Sequence, residues 1–186
     1  MREFGLQQRA AQFWRENLPS CVAFFFFFML GAACGYAACR PLLGDALLDA
    51  ARALLAGGSA PRLLAVAAVS LLHEGAWACA ILFSGLQAWT VPLWMLCVAL
   101  RGFAAGAAAA LCALLQSPVL WLLFALTQAP LLPAALRLAA FAIRCLRAPR
   151  RGAPPLAEGL HLGATLLLIA ALETALLPLL LYALAR

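Results

Sequence analysis

The chain has 186 residues, of which 67% are hydrophobic and 11% are charged, and its formal net charge is +6. A soluble domain has roughly half its residues apolar and about a quarter charged, so this composition excludes a soluble globular protein. At roughly 20 apolar residues for each membrane helix, the sequence predicts an all-α membrane domain, 1–186, with about five spans. The arginines cluster in short segments between apolar runs, which indicates membrane topology and no nucleic-acid partner.

The first predicted span is 18–39, and it follows a polar segment of mixed charge. Its apolar run is longer than the core of a cleavable signal peptide, so we predict a retained helix. The linker that follows, 40–62, is too polar to cross a membrane. Leucines recur in it at helical spacing, with charged residues on the opposite face. This pattern predicts an amphipathic helix that lies in the interface on the outer side of the membrane. The leucines that would form a partner surface are Leu43, Leu47 and Leu54.

The remaining apolar sequence predicts four further spans, at 66–88, 91–115, 117–143 and 160–184. A rival partition ends one span at Leu100 and places Arg101 in a loop, but the next span then becomes too short. The most basic segment, 144–159, lies before the last span and is predicted to be cytoplasmic. The amino terminus is then cytoplasmic and the carboxyl terminus outside, in a multi-pass protein of the cell membrane.

No catalytic residue, cofactor site or metal site is predicted. His73 and Glu74 begin like the zinc motif HExxH, but Trp77 stands where the second histidine belongs. Ser84-Gly85 resembles half of an intramembrane serine-protease motif, but no histidine is placed to activate the serine. The seven cysteines lie mostly inside apolar runs and form no CxxC pair. The sequence therefore predicts a protein that is not an enzyme.

Two GxxxG pairs predict close helix packing, because small residues four apart let helix backbones approach each other in lipid. Gly31 and Gly35 lie in the first span, and Gly102 and Gly106 lie in the third. Each pair places its glycines on one face of the helix. We therefore expect both spans to pack through these faces.

Three polar residues fall at membrane depth. Arg101 lies near the centre of the third span and Glu173 near the centre of the fifth, and no other acidic residue is expected to share that depth. An unpaired charge there costs about 3 kcal/mol on insertion scales, so we predict that the two side chains pair. Gln128 precedes Pro130 in the fourth span, where the proline frees a carbonyl one turn back. A pair that fixes helix register and a working transport or partner site both remain open.

In order, these features resemble the stage II sporulation protein M family, whose members have a cytoplasmic lead, one span, an amphipathic outer linker and four more spans. The third span resembles the family's polar-Gly-apolar-x-x-Gly motif at Arg101-Gly102-Phe103 and Gly106. Glu173, five residues before a proline, is similar to the family's fifth-span glutamate. The fourth span departs from the family's L-P-Q-N kink, because Ala129 follows Gln128 and the proline comes after the glutamine.

The resemblance implies a non-catalytic scaffold that anchors two peptidoglycan-degrading enzymes, a cell-wall amidase and a lytic transglycosylase, at the septal membrane during engulfment in sporulation. Membrane lipids are the other expected partner. The alternative is a small transporter or channel in which Arg101, Gln128 and Glu173 line a path. No inverted repeat in the sequence marks a two-fold transport site.

Overall fold

The protein is described by a computed structural model that covers residues 2–42, 60–86, 88–116, 118–147 and 156–184. These ranges contain five α-helices, one short 3-10 helix at Ala88–Thr90 and no strand, which confirms the predicted all-α class for the described part of the chain. The α-helices are α1 (Arg2–Leu42), α2 (Ala60–Ser84), α3 (Val91–Leu115), α4 (Pro118–Arg147) and α5 (Leu156–Leu184).

Three of the helices contain stretches that are long and apolar enough to cross a membrane: Ala11–Cys39 in α1, Val91–Leu115 in α3 and Leu120–Leu146 in α4. Within the described residues, α2 and α5 contain shorter apolar stretches, at Leu71–Ser84 and Ala157–Leu172. The three long stretches indicate a membrane-associated protein.

The helices differ in places from the predicted spans. The first helix begins at Arg2, well before residue 18, because no glycine or turn sequence interrupts the polar lead after its first turn, and the helix continues through Pro19. The third helix occupies the predicted residues, 91–115. The leucines of the predicted outer helix and the tip of the basic segment, 148–155, lie outside the described residues. The partner surface of Leu43, Leu47 and Leu54 therefore stays a prediction.

Contacts between the helices give their relative directions. Gly31 contacts Ala99 and Gly35 contacts Phe103, so α1 and α3 are parallel. A short connection joins α2 to α3, and another joins α3 to α4, so α2 and α4 run in the opposite direction. Arg144 near the end of α4 contacts Glu158 near the start of α5, which makes α5 parallel to α1. One end of the bundle, which we call the basic end, thus holds the start of α1, the α2–α3 connection, the end of α4 and the start of α5.

The closest helix approach joins α1 to α3 at the two GxxxG pairs, a contact that we call the glycine seam. A Cβ atom on Gly31 or Gly35 would overlap the carbonyl oxygen of Ala99 or Phe103 in α3. A Cβ atom on Gly102 or Gly106 would overlap a carbonyl oxygen of α1 in the same way. Such contact between backbones is possible only where side chains are absent on both helices. The four glycines named from the sequence therefore lie face to face.

Tryptophan side chains connect the seam to the rest of the bundle. Trp94 of α3 is buried, and its indole N–H donates a hydrogen bond of 3.1 Å to the Ala139 carbonyl of α4. A buried indole of this kind fills a large volume and also satisfies its hydrogen-bond donor. The core around Trp94 contains side chains from all five helices. Its largest fully buried apolar side chains are Trp94, Phe24, Ile81, Leu138, Leu166 and Val98.

We expect Gly102→Ala to destabilise the protein strongly, because the added methyl group meets backbone that cannot rotate away. Overpacking of this kind costs about 1–3 kcal/mol, which should lower the melting temperature in detergent by several degrees. Gly163→Ala is the matched control, because its Cβ would lie 3.7 Å from Leu82 Cδ1, an ordinary contact. The control should melt at or above the wild-type temperature, since alanine favours helix over glycine. Equal melting of the two variants would contradict the seam.

Candidate functional site

In the part of the bundle interior that the structure describes, the most polar feature is an ion pair between α2 and α3. The Arg101 Nη1 atom donates a hydrogen bond to the Glu74 Oε1 atom. Glu74 is 5% exposed and Arg101 is 6% exposed. The two residues lie at equal distances on either side of the connection between α2 and α3, so an antiparallel helical hairpin brings them to the same level. Each charge is therefore neutralised by the other inside the bundle.

Aromatic and backbone groups hold the pair from one side. Trp77 lies about one turn after Glu74 and therefore shares its helix face. The guanidinium carbon of Arg101 lies 6.0 Å from the centroid of the Trp77 ring, within the range of a cation–π contact. The indole N–H of Trp77 donates a hydrogen bond of 2.7 Å to the carbonyl of Cys97, one turn before Arg101. The side chains of Glu74, Trp77 and Arg101 and the carbonyl of Cys97 thus connect α2 to α3, and we call this group the brace.

The brace leaves one acceptor unused. The Glu74 Oε2 atom is buried and has no hydrogen-bond partner within the described residues. An ionised carboxylate can accept several hydrogen bonds, so this oxygen is free to take a further donor. The chemistry available at the site is thus ion pairing and hydrogen-bond acceptance.

The structure assigns Arg101 a different partner from the one that the sequence analysis considered. The premise that no acidic residue other than Glu173 shares the depth of Arg101 is wrong, because Glu74 meets Arg101 directly. Glu173 lies in α5, but its side chain is outside the described residues, so a contact with Arg101 stays a prediction. The signal for Glu74 was present, since only three charged residues interrupt the sequence from 63 to 143 and Glu74 is the acidic one.

Gln128, the third polar residue named from the sequence, lies on α4 and is half-buried. Its side chain makes no hydrogen bond within the described residues, to Arg101 or to any other group. Its neighbour Thr127 donates a hydrogen bond of 2.9 Å to the Phe124 carbonyl. Two prolines, Pro130 and Pro133, follow inside the same helix. The structure therefore does not bring Gln128 into the ion pair.

A second ion pair closes the basic end. The Arg144 Nη2 atom lies 2.6 Å from the Glu158 Oε1 atom, and both side chains are partly exposed. The guanidinium carbon of Arg144 lies 5.6 Å from the centroid of the Phe141 ring. An exposed pair contributes little to stability on its own. Its geometry shows that the end of α4 lies against the start of α5.

Hydroxyl groups complete the connection between α2 and α3. Ser84 is fully buried, and its hydroxyl donates a hydrogen bond of 2.6 Å to the Ile81 carbonyl. The Thr90 hydroxyl donates one of 2.6 Å to the Ser84 carbonyl, which lies at the end of α2. Both hydroxyls therefore satisfy backbone acceptors at a helix end. In the described ranges, no group of three or more His, Cys, Asp or Glu residues is arranged to hold a metal ion.

The chain matches no known protein-family profile, no curated protein and no solved structure.

We expect Glu74→Leu and Arg101→Leu each to lower the melting temperature and the amount of protein in the membrane. Removing one partner of a buried pair costs about 3–5 kcal/mol, whereas replacing both partners with apolar residues can be nearly neutral. The double variant should therefore recover most of the loss in a double-mutant cycle measured in detergent.

A parallel cycle between Arg101→Leu and Glu173→Leu tests the pair predicted from the sequence. Coupling in the first cycle alone assigns the pairing to Glu74. Purely additive losses in the first cycle would show that Glu74 and Arg101 do not depend on each other.

Proposed function

We propose that this protein is a non-catalytic integral membrane scaffold that anchors and localises peptidoglycan-degrading enzymes at the septal membrane during engulfment in sporulation. The observation that carries the proposal is the Glu74–Arg101 pair, in which the interior charges neutralise each other and join α2 to α3. A buried pair of this kind can fix the register of two helices, and a fixed arrangement of helices is what a scaffold requires. The motif resemblance supplies the partners, a cell-wall amidase and a lytic transglycosylase.

The exposed aromatic side chains support a position for the bundle in the bilayer. Trp14 and Trp89 are exposed at the basic end, and Tyr36 and Trp121 are exposed at the other end. Tryptophan and tyrosine are enriched at membrane interfaces, and Trp14 and Tyr36 are about 33 Å apart along α1. This separation fits a hydrocarbon core of about 30 Å. Arg101 then lies about 18 Å from the level of Trp89, near the bilayer centre.

We extend this position to all five helices. The α2 helix has 25 residues and the α5 helix has 29, and most of these residues are apolar in the sequence, so each is long enough for the roughly 20 apolar residues that a span requires. Both run antiparallel to a neighbouring helix, as successive spans do. The arginines of 144–151 favour a cytoplasmic basic end under the positive-inside rule, and the carboxyl terminus would then lie outside the cell.

Reporter fusions test this topology. A reporter that is active only in the cytoplasm should be active when fused after Arg151 and inactive when fused after Arg186. A reporter that is active only outside the membrane should give the reverse pattern and serves as the control for expression. The same compartment at both positions would contradict five spans.

Capture of partners from sporulating cells tests the scaffold. The tagged chain, solubilised in mild detergent, should retain the amidase and the transglycosylase. Leu47→Asp should abolish their retention, because it places a charge on the leucine face of the outer helix. Asp45→Lys is the matched control on the polar face and should retain both enzymes at equal membrane levels of the two variants. Equal retention by both variants would remove the outer helix from the partner surface, and no retention by wild type would refute the scaffold.

The second candidate is a transporter or channel, and the unpartnered Glu74 Oε2 atom favours it, because intramembrane ionisable residues commonly mark ion pathways. Arg101, Gln128 and Glu173 would complete the path. Purified protein in sealed vesicles should pass no more ions or protons than protein-free vesicles if the scaffold proposal holds. Flux that is lost in the folded double variant of Glu74→Leu and Arg101→Leu would establish transport instead.

A further inference from the structure

Arg137 is an arginine inside the apolar stretch Leu120–Leu146 of α4 for which the described residues provide no partner. It lies on α4 and is exposed, and it makes no hydrogen bond, ion pair or ring contact within the described residues. Arg101 is buried against Glu74, and Arg144 is paired with Glu158. A cation in this position needs a counter-charge from outside the described chain.

The surroundings of Arg137 on α4 are apolar and face outward. Leu126, Pro130 and Pro133 precede it at helical spacing on the same face, and all three are exposed. Arg144 lies two turns further along the helix, about 10 Å nearer the basic end. The backbone of Arg137 therefore lies deeper in the membrane than the interface, on a surface that faces lipid.

An arginine in this position is stabilised by extending toward the interface, where its apolar stem stays in the hydrocarbon and its charge reaches polar groups. The guanidinium is a planar fork whose donors match two oxygens of a phosphate. In the sequence, Arg147 is the last residue of α4, and Arg150 and Arg151 follow it within four residues. Such clusters attract anionic lipids over neutral ones.

We propose that Arg137 binds the phosphate of an anionic phospholipid in the leaflet at the basic end of the bundle. The lipid would supply the counter-charge that the described residues do not, and its acyl chains would lie along the exposed face of α4. The site rests on the position in the bilayer proposed above and not on the scaffold role, since it concerns the lipid that surrounds the bundle and not a protein partner.

The test measures the melting temperature of the purified full chain in detergent with added phosphatidylglycerol or phosphatidylcholine. Phosphatidylglycerol should raise the melting temperature of the wild-type protein more than phosphatidylcholine does. Arg137→Gln should lose at least half of that difference and need about tenfold more phosphatidylglycerol for the same shift. Arg40→Gln removes an equal charge near the other end of α1, away from the basic end, and should keep the full difference.

Arg137→Lys keeps the charge but not the fork, and it serves if Arg137→Gln does not yield folded protein. It should still prefer phosphatidylglycerol, with weaker binding than wild type. The proposal is overturned if phosphatidylcholine stabilises the wild-type protein as well as phosphatidylglycerol does. It is also overturned if the folded Arg137 variants keep the full phosphatidylglycerol effect, or if inorganic phosphate alone gives that effect.

Discussion

The backbone contact between α1 and α3 is the constraint on which the other helix positions depend. Because glycine meets carbonyl oxygen on both sides of the glycine seam, α1 and α3 cannot move closer, and any side chain would force them apart. The other faces of α3 receive Trp77 from α2 and contact α4 through Trp94. The α3 helix thus packs against α1, α2 and α4, and its glycines set the distance between α1 and α3.

The Glu74–Arg101 pair bears on a different question, which is how a bundle rich in leucine and alanine keeps one arrangement of its helices. Apolar side chains in lipid gain little from choosing one neighbour over another, because lipid tails are equally apolar. A buried ion pair is strongly directional, since leaving either charge alone is costly. The Trp77 hydrogen bond to Cys97 adds a second directional contact in the same place. Together they fix the register of α2 against α3.

The sequence was sufficient for those features that follow from one helix at a time. Apolar length predicted the helical class, and glycine spacing placed Gly31, Gly35, Gly102 and Gly106 on helix faces that the structure brings together. Pairing between helices was harder, because it depends on register across a connection. Depth within separate spans predicts Glu173 as the partner of Arg101. The α2–α3 hairpin instead brings Glu74 into contact with Arg101. Counting residues outward from the connection would have found this partner, which depth within separate spans does not show.

The hairpin that carries Glu74 and Arg101 also bears on how the chain enters a bilayer. If α2 and α3 leave the ribosome one after the other and insert together, the two opposite charges enter as a neutral unit and neither crosses hydrocarbon unaccompanied. The α1 helix is made first, yet its seam partner is not in place until this hairpin has entered. Until α3 has been made, the glycine face of α1 therefore lacks the helix that covers it in the bundle, and the arrival of α3 completes the glycine seam.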